Sequence, residues 1–490
     1  MSFSSVIFLF FFLPVVLTLY LLPSQRWRSF ILLLGSFVFY AWSQGGYILV
    51  LLASIFVNYL FGLWIGRLGG AVPTSDSRSN GKKAVLAFGL VFNLLLLAVF
   101  KYANFLTTNV SFLLNPLSLP QVHISQIYAP LGISFFTFHA ISYLVDIYHG
   151  EGPAQKNPGA VAIYLAAFPK VFAGPIAQYR QAANQLDQRL ISVPGLAYGI
   201  ERFVTGLAKK VLLAGPLGAV ADAAFGLKPE SLAPYSAWAG ILCYTLQIYF
   251  DFSGYSDMAI GLGKMFGFDF PENFNFPYTS QSVREFWRRW HISLSLWFKN
   301  YLYIPLGGNR LSETRTCFNL IAVFLLCGLW HGASWTFVIW GVWYGLFLLL
   351  ERTFLGSFIE RAPRVLRHFY LLAVVVIGWV FFRADSTAFA LIYLKSMLGL
   401  HWGSMHTEHF AVQLNGEILT LFAAAVFFCL PVSSWVKKLT FLEPVESGIS
   451  YGYRSAGFYI SYTLYLSLVF FVSILSLAGG THKAFIYFRF

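Results

Sequence analysis

An all-α, polytopic bundle of transmembrane helices is the fold that the sequence predicts, and three observations support this. Of the 490 residues, 58% are hydrophobic and only 11% are charged. Many apolar runs are long enough for a helix to cross a hydrocarbon core, which takes roughly 20 residues. These runs lack the period-2 alternation of barrel strands, and within lipid only helices and closed barrels satisfy all backbone hydrogen bonds. We therefore expect one helical domain with about 11–13 hydrophobic segments.

The first predicted span is the apolar run over residues 3–22. It has no basic segment before it and no small-residue cleavage site, so we expect a retained span and not a signal peptide. Residues 168–175 carry Pro and Gly within an apolar run, which predicts a broken or re-entrant helix covered by protein or a water-filled cavity. Further spans are predicted near residues 84–104, 126–148, 159–176, 195–222, 234–262, 316–333, 335–353, 368–384, 411–433 and 457–478.

The net charge of +13 would suggest nucleic acid as the partner of a soluble protein. Here Lys and Arg lie mostly in loops, where orientation signals and membrane lipid headgroups account for them, so no nucleic-acid partner is expected. Basic loops near Arg28 and Lys82 flank an uncharged turn at residues 43–46. By the positive-inside rule the basic loops are cytoplasmic, which places the N-terminus on the outer face.

Three patterns are not expected to form sites. The four cysteines lie in apolar surroundings without metal-ligand spacing, so neither a disulfide framework nor a zinc site is predicted. Residues 448–452 match G-x-S-x-G, but that motif needs a strand, turn and helix of an α/β sheet. Polar residues between two predicted spans are expected to be a solvated loop and not metal ligands: His401, His406, Glu408 and His409.

Two carboxylates, Asp251 and Asp257, interrupt an apolar run. Each would cost about 2.5–3.5 kcal/mol in a membrane if it were unpaired, so both must face protein, water or a cation. At helical spacing Gln247 lies above Asp251, and Ser253 lies above Asp257, which directs the two acids to different sides of a helix. Either the acids hold neighbouring basic residues in place, which we favour, or they take part directly in chemistry.

A basic segment follows at residues 284–299. Glu285 and Arg289 are spaced for an i,i+4 ion pair. The segment is either an amphipathic helix that lies among lipid headgroups, or a row of arginines, Arg284, Arg288 and Arg289, that binds the phosphates of a ligand. Four residues are spaced to share one face of one helix: Arg284, Arg288, His291 and Ser295.

His331 ends another apolar run and has no carboxylate within a helical turn. Gly328 and Gly332 flank it and would let another backbone or a substrate approach closely. An imidazole in such surroundings should be neutral near pH 7 and could act as a general base, which typically contributes 10²–10⁴-fold to a rate. The alternative is a core histidine satisfied by one hydrogen bond, although an ionisable residue within a membrane is by default a functional candidate.

Short motifs along nearly the whole chain resemble those of one family. They are Phe39-Tyr40-Ala41-Trp42, residues 100–105, 130–135, 173–176, 249–260, 286–294, 301–310 and 329–333, and Phe485-Ile486-Tyr487-Phe488. In these motifs the chain is similar to the membrane-bound O-acyltransferases (MBOAT), in particular to the branch that contains the bacterial alginate O-acetylation membrane protein. The resemblance implies a single domain over residues 1–490, with a catalytic core at about 125–355.

The resemblance further implies a ring of tilted helices around a thin central region, where a funnel from each face meets. His331 corresponds to the catalytic histidine of the family, and His291 to its second characteristic polar position. We expect no bound cofactor and no metal. The polar residues expected to support the two histidines are Asp251, Asp257, Ser253 and Asn309.

The family transfers an acyl group from a thioester to a hydroxyl. For this chain the resemblance implies transfer of an acetyl group from a cytoplasmic donor, acetyl-coenzyme A or an acetylated carrier, for O-acetylation of an exported polysaccharide. Alginate is the expected polymer, periplasmic acetyltransferase proteins of the same operon are the expected partners, and the bacterial inner membrane is the expected location. The arginine row would bind the donor's phosphates. The alternatives are cellulose or another exopolysaccharide, a non-catalytic acetyl-group transporter, or a membrane subunit that only recruits partners.

Overall fold

The computed structural model describes residues 1–22, 24–69, 76–117, 125–403, 414–432 and 456–479. Every regular element in these ranges is a helix, which confirms the all-α prediction. Six helices are long and apolar enough to cross a membrane, or seven if the pair Trp335–Thr353 and Leu355–Arg361, bent by 72°, forms one span. Several other hydrophobic segments of the sequence form shorter helices or irregular backbone. The polytopic helical architecture is therefore confirmed.

Helices follow one another along the described ranges of the chain. The α-helices are α1 Leu13–Leu21, α2 Gln25–Gln44, α3 Ile48–Leu68, α4 Asp76–Leu97, α5 Ala103–Leu114, α6 Ile133–His149, α7 Pro158–Ala166, α8 Tyr179–Asp187, α9 Val193–Ala208, α10 Gly215–Phe225, α11 Pro234–Met265, α12 Val283–Arg289, α13 Ile292–Phe298, α14 Glu313–His331, α15 Trp335–Thr353, α16 Leu355–Arg361, α17 Arg364–Arg383, α18 Thr387–Met397, α19 Gly416–Phe428 and α20 Ala456–Ala478. Four π-helical turns lie at Phe8–Phe12, Ala98–Tyr102, Lys209–Ala214 and Lys299–Tyr303. Short 3₁₀ turns lie at Gly45–Tyr47, Asn115–Leu117, Pro229–Ser231 and Pro277–Thr279.

A buried segment without regular helix, residues 167–178, joins α7 to α8. Hydroxyl groups from distant helices satisfy its backbone: Phe168 N donates to Ser36 Oγ at 3.0 Å, and Ile176 N donates to Ser293 Oγ at 2.9 Å. The broken backbone predicted at residues 168–175 is thus covered by protein, as the absence of water within a membrane requires.

The longest helix, α11, packs against α9 through glycines that let the two backbones touch. A Cβ atom added to Gly254 would lie 2.6 Å from the carbonyl oxygen of Gly206, and one added to Gly206 would lie 2.5 Å from that of Gly254. Gly199 and Gly261 make the same reciprocal contact one level away, at 2.7 and 2.5 Å. Small residues at such positions allow the close approach that drives helix association within a membrane.

Ion pairs also join α11 to α9 and to the π-helical turn that follows α9. Lys210 Nζ lies 2.5 Å from a carboxylate oxygen of Asp251, and both side chains are almost fully buried. Asp257 pairs with Lys209 at 2.6 Å and with Arg202 at 2.7 Å. The structural role favoured for the two acids is therefore what the structure shows. Basic side chains of α9 and of the π-helical turn after it reach both acids.

Removing one partner of the buried Lys210–Asp251 pair should destabilise the protein strongly. We expect Lys210→Met to cost about 3–5 kcal/mol, because it leaves a buried carboxylate without its cation, and Asp251→Leu in the same chain should recover most of that loss. The melting temperature of the protein in detergent measures both effects.

Lys264→Met is the matched control for this prediction. Lys264 pairs with Asp269 at a far more exposed position, where an ion pair contributes at most about 1 kcal/mol. A Lys210→Met variant that melts no earlier than Lys264→Met would contradict the prediction.

Candidate active site

A cavity of about 50 Å³ lies where the first turn of α6 meets the last turn of α14. Its wall also includes Lys101, and Phe172 of the buried irregular segment, so the packing of four distant parts of the chain shapes it. The volume suffices for a few water molecules or a small chemical group. The lining residues are Lys101, residues 129–135, Phe172, Trp330 and His331.

His331 is the last residue of α14, and it lines the cavity while remaining 5% exposed. Its imidazole is enclosed by aromatic rings, with Trp340 and Phe382 edge-on at centroid distances of 5.0 and 5.1 Å. The flanking glycines have the role predicted for close approach of a backbone: a Cβ on Gly328 would lie 2.2 Å from the carbonyl oxygen of Phe337. The sequence prediction of a buried histidine between glycines is thus confirmed, and the glycines pack α14 onto α15.

Lys101 holds the end of α14 in place. Its ammonium group donates to the carbonyl oxygens of Trp330 at 2.5 Å and His331 at 3.2 Å, and to Ser134 Oγ at 3.3 Å. The neighbouring Tyr102 hydroxyl donates to the Leu329 carbonyl at 2.7 Å. The last carbonyls of a helix have no partner within the helix, and a cation there also offsets the negative end of the helix dipole.

Lys101 and Tyr102 had no assigned role in the sequence analysis, where they appear only within a motif of the resemblance. The available signal was a single lysine inside the apolar run at residues 84–104. Its partners lie 229 and 230 residues further along the chain, so no local spacing points to them. Lys101 also lies before the core predicted at about 125–355.

His291 is fully buried and contacts the same tryptophan as His331. Its ring lies 4.6 Å from Phe252 and 6.2 Å from Trp330, while His331 lies 4.8 Å from Trp330. The structure therefore brings the two predicted histidines together around one aromatic side chain, with His331 in the cavity wall and His291 behind it.

The predicted single helix through residues 284–299 is wrong, because the chain breaks at His291. That residue adopts a left-handed backbone conformation with φ +43°, between α12 and α13. Asn273 replaces the helical partners there: its carbonyl accepts from Ile292 N at 3.0 Å, and its side-chain oxygen accepts from Ser293 N at 3.2 Å. The shared face predicted for Arg284, Arg288, His291 and Ser295 consequently does not exist.

The arginine row lies away from the cavity. Arg284 and Arg288 are exposed on α12, whose first N–H groups, those of Val283 and Arg284, donate to the Glu351 carboxylate at 2.6 and 3.0 Å. Arg289 forms the predicted i,i+4 ion pair with Glu285 at 2.9 Å. Two of the three arginines thus keep their charge available to a ligand, and the third is engaged within the protein.

The four polar residues predicted to support the histidines do not line the cavity: Asp251, Asp257, Ser253 and Asn309. Asp251 and Asp257 are engaged in ion pairs with α9 and the turn after it, Ser253 is buried on α11, and Asn309 is exposed in the turn after the Lys299–Tyr303 segment. The polar groups beside the histidines include Lys101 and Ser134 at the cavity, and the Asn273 network next to His291.

The structure describes only part of the other patterns that the sequence analysis considered. His401 is described, and its Nε2 donates to the Pro229 carbonyl at 2.7 Å. Over the described ranges, no group of three or more His, Cys, Asp or Glu side chains is placed to hold a metal ion. The following lie outside the described residues: His406, Glu408, His409, residues 448–452 and the closing motif Phe485-Ile486-Tyr487-Phe488.

Similarity to known proteins identifies the family of this chain. Residues 156–394 match the model of the MBOAT, membrane-bound O-acyltransferase family. The chain is 39% identical, over the full length of both proteins, to the probable alginate O-acetylase AlgI of Azotobacter vinelandii. It is 46% identical to the probable alginate O-acetylase AlgI of Pseudomonas aeruginosa over 79% of this chain and 72% of that protein. It is 33% identical to the peptidoglycan O-acetyltransferase of Helicobacter pylori over 100% of this chain and 97% of that protein. The chain therefore belongs to the membrane-bound O-acyltransferase family and is a multi-pass membrane acyltransferase.

Proposed function

We propose that this acyltransferase moves an acetyl group from a cytoplasmic thioester donor to an exported polysaccharide, with His331 as the catalytic base. The observation that carries the proposal is the placement of His331 in a small, largely buried cavity beside the ammonium group of Lys101. Alginate is the proposed polymer, because similar proteins of 39% and 46% identity are named probable alginate O-acetylases. The proposed location is the bacterial inner membrane.

The two ends of the bundle suit a donor and an acceptor on opposite faces. The N-terminal amine donates to Ser43 Oγ at 2.8 Å, and Leu131 N in the cavity wall donates to Gln44 Oε1 at 2.8 Å. The cavity therefore lies toward the end of the bundle that holds the N-terminus and the uncharged turn, which the positive-inside rule assigns to the outer face.

The arginines of α12 lie toward the opposite end. Their helix is anchored to Glu351, next to Arg352, which pairs with Glu313 at 3.0 Å at the start of α14. The 19 residues of α14 span about 27 Å between that end and His331. We therefore assign the phosphate-bearing part of the donor, acetyl-coenzyme A or an acetylated carrier, to Arg284 and Arg288 on the cytoplasmic side.

In the proposed reaction, the hydroxyl oxygen of the acceptor attacks the thioester carbon while the imidazole of His331 takes the hydroxyl proton. His291 contacts Trp330, which borders the cavity, and we assign it the role of fixing the orientation of the reacting groups. The immediate acceptor is the polymer or a periplasmic acetyltransferase partner encoded in the same operon.

Other polymers remain testable as the acceptor. The chain is 33% identical to a peptidoglycan O-acetyltransferase, and the acetyl content of each exported polymer after deletion of the gene identifies the right one.

Replacement of the catalytic histidine should abolish acetylation. We expect His331→Ala to lower the acetyl content of the exported polymer by 10²-fold or more, because the hydroxyl loses its base. The measurement is acetyl content by NMR in a deletion strain that carries the variant, with membrane insertion verified by immunoblot. His149→Ala, at an exposed histidine of α6, is the control and should be silent. Full acetylation by a normally inserted His331→Ala protein would refute the assignment.

Removal of the exposed arginine charges should weaken donor binding. We expect the double change Arg284→Gln and Arg288→Gln to raise the KM for acetyl-coenzyme A about tenfold with little change in kcat, because these groups contact a part of the donor that does not react. Initial rates in inverted membrane vesicles, whose cytoplasmic face is exposed, measure this.

Arg361→Gln is the control for the donor-binding prediction, since Arg361 is an exposed arginine of α16, which follows α15 closely. An equal rise in KM for this control would show a general charge effect and not a donor site.

A further inference from the structure

We propose that Ser134 is a second catalytic residue, whose hydroxyl group donates a hydrogen bond to the oxyanion that forms on the acyl carbonyl during transfer. This inference rests on the proposed acetyl transfer and extends it, because a base alone leaves the developing negative charge unstabilised. Electrostatic stabilisation of that charge is usually the largest contribution to catalysis of acyl transfer.

Ser134 lies on the cavity wall with His331. It is the second residue of α6, its side chain is 8% exposed, and it borders the same cavity. A hydroxyl group on the cavity wall can exchange hydrogen bonds with whatever occupies the cavity. The acyl group that His331 serves is the occupant that the proposed function supplies.

The hydrogen bonds of Lys101 determine which way the Ser134 hydroxyl can donate. The 2.5 Å bond to the Trp330 carbonyl and the position at the negative end of α14 both favour the charged ammonium form. In its ammonium form Lys101 has three hydrogens and no lone pair, and three oxygens lie within hydrogen-bond distance of its Nζ: Trp330 O, His331 O and Ser134 Oγ.

Two consequences follow for the cavity. Lys101 has no hydrogen left for an oxyanion, so it positions other groups and does not itself donate to the substrate. With Lys101 as an ammonium group, Ser134 accepts from it, which leaves the hydroxyl hydrogen of Ser134 available. Among the described residues the Ser134 side chain makes no other hydrogen bond, and its hydrogen can therefore be directed at the cavity.

The surroundings of Ser134 favour negative charge. The N-terminal end of α6, with its partial positive charge, borders the cavity, and the Lys101 ammonium polarises the hydroxyl from behind. The turn that starts α6 is fixed closely against the irregular segment: Gly132 has φ +81°, and a Cβ there would lie 2.3 Å from the Val171 carbonyl oxygen. The donor is thus held in advance of the reaction, as electrostatic stabilisation requires.

Acyl transfer passes through a tetrahedral intermediate. The acceptor oxygen forms a bond to the thioester carbon as its proton passes to His331, and the carbonyl π electrons move onto oxygen, where the Ser134 hydroxyl stabilises the charge. Collapse of this intermediate restores the carbonyl, breaks the carbon–sulfur bond and releases the thiolate. The thiolate then takes the proton from the imidazolium of His331.

The test compares hydroxyl removal at two positions of α6. Ser134→Ala should lower kcat by about 10²–10³-fold, as loss of one oxyanion donor does, with the KM for acetyl-coenzyme A changed less than about twofold. Ser134→Thr keeps the hydroxyl and should retain most of the rate. Thr137→Val removes a fully buried hydroxyl that does not line the cavity, and it should leave kcat unchanged.

The assay is incorporation of labelled acetyl from acetyl-coenzyme A into polymer by inverted membrane vesicles that hold equal amounts of each variant. An unchanged kcat for Ser134→Ala, with His331→Ala inactive, would overturn the role of Ser134 while leaving the proposed function intact. Equal losses in Ser134→Ala, Ser134→Thr and Thr137→Val would show a packing effect and also overturn it. Absence of incorporation by the unaltered protein would instead contradict the proposed function.

Discussion

One ammonium group in the interior of the bundle fixes the geometry on which the cavity depends. Lys101 Nζ joins the segment after α4 to the start of α6 and to the end of α14, across sequence separations of 33, 229 and 230 residues. A cation within a membrane protein is costly unless it is fully paired, and the carbonyl groups at a helix end are costly unless they find donors. Here the ammonium group donates to the carbonyl groups, so both are paired, and this pairing fixes the position of His331.

The rest of the bundle follows the same constraint. Asp251 and Asp257 receive their cations from α9 and the turn after it, and the glycine contacts between α9 and α11 let the two backbones approach closely enough. Backbone N–H groups of the irregular segment at residues 167–178 donate to hydroxyl groups of α2 and α13 in place of helical carbonyls. At these places distant segments supply the hydrogen-bond partners and charges that water cannot, and the cavity lies at one such meeting point.

Features that depend on local composition could be predicted from the sequence. Hydropathy alone gave the helical membrane fold, and a lone histidine between glycines identified His331. The break at His291 could not be predicted, because the spacing of Arg284 and Arg288 suits a continuous helix and the competing partner, Asn273, lies in another segment. Lys101 was missed for the same reason: a single lysine in an apolar run gives no indication of carbonyls more than 200 residues away. Family resemblance singled out the histidines, but it gave no account of what positions them.

The position of His331 depends on Lys101, and a double-mutant cycle tests this dependence most directly. The rate of acetyl transfer by membrane vesicles is measured for Lys101→Met, for His331→Ala and for the two changes combined, at equal amounts of inserted protein. If Lys101 acts through His331 and Ser134, Lys101→Met lowers the rate by at least about tenfold, and the double variant loses less than the two single losses combined. A normally inserted Lys101→Met protein that transfers acetyl groups at the full rate would contradict the account.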